Sequence, residues 1–327
     1  MLCCATIPCH RAEPTVPLSQ ASKSDLLLVF VTILSALSWI FSREAVQLMP
    51  PLLFMALRFL LAGSLLALLA RRQLRKINGE QLWRAIRVGL VFGFAMCFWV
   101  LGITHASHVG EGAFLTILGV LIVPVIGRFL FDERPPIHTW MAIPVAIFGL
   151  GLLALKDGFR PEAGQVYFFI SAFGFAFYYA LNTRAANAGT SISRDGVVRQ
   201  RLGIPPLALT TLMVLTVSLV TGVASLVLEP WQATFSEFSP MLYVWIGASA
   251  IIGTSARFFF QTWAQSLSTT SHGVVIMVVE PVWVALFAAL WFAETMTLQQ
   301  LAGCAFIFAA LLVSRWSAVR KVLKTVL

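Results

Sequence analysis

The chain has 327 residues, 59% of them hydrophobic and 11% charged, with a net charge of +9. Soluble domains carry about 25% charged residues, so this composition excludes a water-soluble globular protein and describes a polytopic membrane protein. The positive charge is no nucleic-acid signal, because the basic residues fall in short clusters between apolar stretches; no nucleic-acid partner is expected.

Residues 1–24 read as a cytoplasmic N-terminal tail. Cys3, Cys4, Cys9 and His10 are metal-ligand types, but their spacing matches no zinc pattern, and no metal or other cofactor is expected. No apolar stretch precedes a cleavage site within the tail, so it is not expected to be a signal peptide, and the first apolar span is expected to stay in the membrane.

A spanning helix needs roughly 20 apolar residues. Ten spans follow in order: Asp25–Ser42, Pro51–Ala70, Ala85–Ile103, Val109–Leu130, His138–Leu155, Gln165–Ala186, Pro206–Leu228, Pro240–Thr262, His272–Phe292 and Thr297–Ser314. Residues 25–155 hold the first five, residues 165–314 the second five, and residues 315–327 form a basic cytoplasmic C-terminal tail. The predicted fold is all-α and integral to the membrane, ten helices arranged as two inverted five-helix repeats.

Orientation follows from the loops. With both termini in the cytoplasm, eighteen of the 23 Lys and Arg residues fall on that side. Three, Arg43, Lys156 and Arg160, fall on the other, and Arg58 and Arg257 lie inside spans. This is the positive-inside asymmetry of a ten-span protein with both termini inside.

The repeat appears when Thr104–Gly151 is laid on Gln265–Leu312 without a gap. Ser107 meets Ser268, Gly112 meets Gly273, Phe131 meets Phe292 and Glu133 meets Glu294. Five spans separate the copies, and an odd number of spans per repeat forces inverted topology, the arrangement that places a transport site near the midplane.

Several residues stand out as site candidates. Glu280, about nine residues into the ninth span, is a carboxylate near mid-membrane, where a charge costs at least about 2.5–3.5 kcal/mol. It reads as a substrate-amine ligand or a protonation site, with a packing pair to Arg58 or Arg257 as the alternative. Pro281 removes a backbone donor, freeing the Met277 carbonyl for a ligand or simply kinking the helix. Arg58 reads as structural, and Arg257 as a candidate for a substrate carboxylate or for packing. Trp39, Trp99 and Tyr178 lie deep enough to line a cavity, or to face lipid. Glu133 and Glu294, in tight turns, read as caps on neighbouring helix N-termini. His105, His108 and Glu111, with His272 at the matching position of the second copy, read as polar residues at helix entrances rather than a metal site.

Taken together, these landmarks resemble the drug/metabolite transporter superfamily, EamA family. In the first half the resemblance runs through Trp39, Pro50-Pro51, Arg58, the HASHVGEGAFL corner, Pro124 and the DERPP turn. In the second it runs through AQSLSTTSHGVV, Glu280-Pro281, the AET turn and LAGCAFIFAALL. Asp132-Glu133 and Ala293-Glu294 stand where the family often has Gly-Glu. The resemblance implies a secondary active carrier, most often a metabolite exporter of the inner membrane. Its expected partners are a small-molecule substrate such as an amino acid or an amphipathic or aromatic compound, the lipid bilayer, and protons as a candidate coupling ion. A passive channel and an intramembrane enzyme are the alternatives. Neither G-x-x-x-x-G-K-[ST], H-E-x-x-H nor G-x-S-x-G occurs, so neither ATP hydrolysis at a P-loop nor those two hydrolytic chemistries is expected.

Overall fold

The structure, a computed structural model, describes residues 20–131, 137–154, 162–192, 198–230, 240–267, 279–314 and 316. The cysteines of the tail, Glu133 with its DERPP turn, and His272 with the start of the ninth expected span lie outside the described residues.

Among the described residues, twelve α-helices and one π-helical stretch lie in the ten expected spans. The first three are α1 (Gln20–Val46), α2 (Pro51–Leu74) and α3 (Gly79–His105). The fourth span is α4 (Val109–Ile117) continued by α5 (Gly119–Phe131), and the fifth and sixth are α6 (Ile137–Ala154) and α7 (Ala163–Ala186). After α8 (Pro206–Leu228), the eighth span runs through α9 (Pro240–Ala248), a π-helical stretch (Ser249–Ala256) and α10 (Arg257–Ser266). The chain closes with α11 (Glu280–Phe292) and α12 (Leu298–Ser314). Seven of these spans are long and apolar enough to cross a bilayer, and shorter apolar helices occupy the places of the fifth, ninth and tenth. Leu68, Leu69 and Leu290 are each at least two-thirds exposed, which in a bilayer is lipid contact rather than a fault.

Local chemistry sets the ends. Asn78 caps α3 by accepting from Gln81 N while the Gln81 side chain accepts from Asn78 N, a reciprocal capping box. α2 and α8 both open on a proline pair, Pro50-Pro51 and Pro205-Pro206, where the missing N–H costs nothing. Ala293 closes α11 in the left-handed region (φ 52°), where Gly would rest without strain.

Three local features depart from the expected plain spans. The fourth is tightened at Leu118, whose N–H reaches back to Leu115 O (3.3 Å), and Gly119 beyond it lies against the Ala172 carbonyl, 2.6 Å from where a Cβ would stand. The eighth carries the π-helix, in which the hydroxyls of Thr254 and Ser255 donate to the carbonyls five residues back, Ser249 O and Ala250 O. The connection between α7 and α8 contains a small antiparallel hairpin, β1 (Gly189–Ile192) and β2 (Val198–Arg201), with Gly189 opposite Arg201.

The helices pair in a regular way. α2 packs on α8, α6 on α12, α3 on α7, and α1 on α9, the π-helix and α10, while α4 meets α11. In span numbers these pairs are 2 with 7, 5 with 10, 3 with 6, 1 with 8, and 4 with 9. Exchanging the first five spans for the last five maps this set of pairs onto itself.

Candidate functional site

Where these pairs converge, spans from both halves enclose a cavity of about 30 Å³. That volume holds a water or two. Its wall comes from spans 1, 2, 3, 4, 6, 8 and 9.

Glu280 sits in that wall, buried, in the first turn of α11, where the helix dipole favours a carboxylate. Its Oε1 accepts from Trp39 Nε1 (3.1 Å), and its Oε2 lies 3.7 Å from Arg257 Nη2. The ion partner of Glu280 is thus Arg257, across from span 8. Pro281, also buried, follows Glu280 in the first described turn of α11, and Met277, whose carbonyl it was expected to leave free, lies outside the described residues. Arg257 starts α10 immediately after the π-helix, and its guanidinium stacks 4.4 Å from the centroid of the Phe258 ring.

Arg58 is 1% exposed and anchored by four hydrogen bonds, all to uncharged groups. Its Nε donates to Thr254 Oγ1 (2.6 Å), Nη1 to Ser42 Oγ (2.7 Å), and Nη2 to Ser38 Oγ (2.6 Å) and Gly253 O (3.1 Å). It therefore ties α2 to α1 and to the π-helix. Each of these bonds is charge-assisted, which is what lets a guanidinium remain so deep. The π-helix matters here: Thr254 accepts from Arg58 while donating to Ser249, so one hydroxyl serves both.

Aromatic rings fill the rest of the wall. Trp39 meets Trp99 edge-on at 4.8 Å, Phe92 stacks on Tyr178 at 4.2 Å, and Phe258 meets Phe92 edge-on at 5.0 Å. The Tyr178 hydroxyl accepts from Gln261 Nε2 (3.4 Å).

Five expected site residues, Glu280, Arg257, Trp39, Trp99 and Tyr178, line this cavity together. So does Arg58, expected as a structural charge. Ser35, Ser38 and Phe92, which the sequence does not single out, also line it, as do Tyr179 and Phe258, aromatics that an interfacial belt would equally explain. A signal for the serines existed: Ser35, Ser38 and Ser42 recur at three and four residues, one face of α1.

Other carboxylates close helix ends. Glu294 accepts from Val109 N (3.0 Å) and Gly110 N (3.2 Å), so the turn after α11 caps α4. Glu229 does the same for α2, accepting from Leu52 N (2.7 Å) and Leu53 N (2.9 Å). Glu111 is buried and accepts from Gln165 Nε2 and Gln300 Nε2 (3.1 Å), joining spans 4, 6 and 10. The His105 ring bonds to Leu101 O (2.9 Å). Among the described residues no three His, Cys, Asp or Glu side chains gather as metal ligands.

The chain is similar to several known proteins. A solved crystal structure of a protein 19% identical superposes with a TM-score of 0.63, covering 91% of this chain and 98% of that one, a likeness of fold alone. A Bacillus subtilis (strain 168) protein named uncharacterized transporter YvbV is 25% identical over 172 residues, 53% of this chain; the match spans about half, 51%, of that relative's length. An Archaeoglobus fulgidus protein named uncharacterized transporter is 22% identical over 225 residues, 68% of this chain and 73% of that protein. The model of the EamA-like transporter family matches twice, over residues 22–155 and 162–316. With apolar helices throughout and that double match, this multi-pass membrane protein belongs to the EamA-like transporter family, within the drug/metabolite transporter superfamily.

Proposed function

We propose that the chain is a secondary active transporter that works by alternating access and exports a small metabolite across the inner membrane. The observation that carries this is the Arg257–Glu280 pair, 3.7 Å apart, with Glu280 buried and Arg257 nearly so, in an aromatic-walled cavity built from both halves of the chain. An ion pair in a membrane interior is costly unless it has a task, and this one sits where two halves meet. The pairing of spans 2 with 7 and 5 with 10 supports two inverted halves rocking about the cavity. Family and relatives point to a transporter rather than an enzyme. The loop charges support cytoplasmic termini.

The test is counterflow. Purified protein in liposomes preloaded with a candidate metabolite is expected to accumulate the labelled compound transiently. The Glu280→Gln variant is expected to insert and remain monodisperse yet lose this accumulation. Unitary currents would overturn the carrier reading, and unchanged counterflow in Glu280→Gln would remove Glu280 from the mechanism.

A further inference from the structure

The charges on the cavity wall do not balance. Among the described residues it carries two guanidinium groups, Arg58 and Arg257, against one carboxylate, Glu280. Arg58 directs its four hydrogen bonds to hydroxyls and a carbonyl, so no carboxylate among these partners neutralises it. Arg257 is satisfied less well. Its 3.7 Å approach to Glu280 is beyond hydrogen-bond reach, and its Nε is buried without a partner. Thr116 Oγ1, equally buried and unbonded, belongs to the same wall. Unbonded donors of this kind are rare in protein interiors, and an uncompensated charge there is costlier still.

Each class of ligand changes this balance differently. One negative charge matches two guanidiniums to two anions. A phosphate monoester, at close to two negative charges, overshoots. An amine adds to the excess, and Glu280, the carboxylate that would receive it, is already held by Trp39 Nε1 at 3.1 Å and faces Arg257. A zwitterion leaves the sum unchanged. The fork of an arginine fits a carboxylate with two parallel bonds, and Arg257 has its fork unused. The rings of Trp39, Trp99, Phe92 and Phe258 offer no further charge and suit an apolar or aromatic body.

Resting on the transport reading of this cavity, we propose that its substrate is a monoanionic carboxylate with an apolar or aromatic body, bound head-first to Arg257. The carboxylate bonds the free edge of Arg257, and its charge offsets that of Arg58. Glu280 holds the same arginine when the ligand is away.

Three probes share one phenyl skeleton and differ in charge: 3-phenylpropionate, phenylalanine and phenethylamine. Calorimetric titration of the purified full chain in detergent is expected to show 3-phenylpropionate binding about tenfold or more tighter than the other two. Arg257→Gln is expected to erase that preference. Arg257→Lys keeps the charge, loses the fork, and is expected to weaken the carboxylate probe selectively; it serves if the Gln variant fails to fold. Glu280→Gln, in which the competing carboxylate is gone, is expected to bind 3-phenylpropionate at least as tightly as the parent even though it does not transport. Counterflow of phenylalanine or phenethylamine in preference to 3-phenylpropionate would overturn the anion assignment and leave the transport reading standing. Absence of both binding and counterflow for all three would overturn the two together. Equal binding of the three probes, or an unchanged preference in both Arg257 variants, would also overturn the assignment.

Discussion

Neutralising Glu280 should destabilise the fold more than neutralising Arg257, although the two form one pair. Glu280→Gln keeps an oxygen to accept from Trp39 Nε1 but removes the only negative charge on the described cavity wall. Two guanidiniums then remain on that wall with no anion. At 3.7 Å and an effective dielectric of about 20, the lost attraction to Arg257 is about 4 kcal/mol. This agrees with the roughly 3–5 kcal/mol cost of breaking a buried pair by removing one partner. Arg257→Gln loses the same attraction but removes one of the two positive charges, leaving Arg58 and Glu280 in the same cavity, one positive and one negative, and should cost less. The double variant should recover much of the Glu280→Gln loss, because one of the two excess positive charges goes with Arg257. Thermal unfolding of the four proteins in one detergent measures the cycle. The expected order of melting temperatures is parent, Arg257→Gln, double variant, Glu280→Gln. An Arg257→Gln variant as unstable as Glu280→Gln, or a double variant less stable than either single, would refute the charge balance drawn from the cavity.

Two further outcomes concern the turn after α11. Glu294→Ala orphans the N–H groups of Val109 and Gly110 and should cost about 2 kcal/mol, read as a lower melting temperature with faster hydrogen exchange at the start of α4. Ala293→Gly relieves the left-handed conformation at φ 52° and should raise stability by about 1 kcal/mol in the same melting assay; a lower melting temperature would mean that the Ala293 methyl group makes a contact worth more than the strain.

Much of the candidate site was legible in the amino-acid sequence. Glu280 and Arg257 declared themselves as charges within apolar runs, and Trp39, Trp99 and Tyr178 by their depth, because a bilayer makes each of these placements costly or conspicuous. Arg58 declared itself too, but its neighbours did not. Its seat depends on Thr254 and Gly253 in a π-helix that nothing in the apolar pattern announces, since the hydroxyl bonds that accompany it run five residues back rather than four. The hairpin between α7 and α8 is hidden likewise, as four-residue strands are too short for periodicity to speak.

By itself, then, the sequence determined the spans, their order, the family and the charges that had to be buried together. A helix that crosses a membrane needs a long apolar run and satisfies its own backbone, so one dimension suffices to find it. Only the tertiary structure decided that Glu280 faces Arg257 rather than Arg58, and that Arg58 is left with neutral partners on the wall of the same cavity. Helix rotation decides that, and in a membrane both lipid and protein neighbours are apolar. The sequence of a span therefore says how deep a residue lies but not which neighbour it faces.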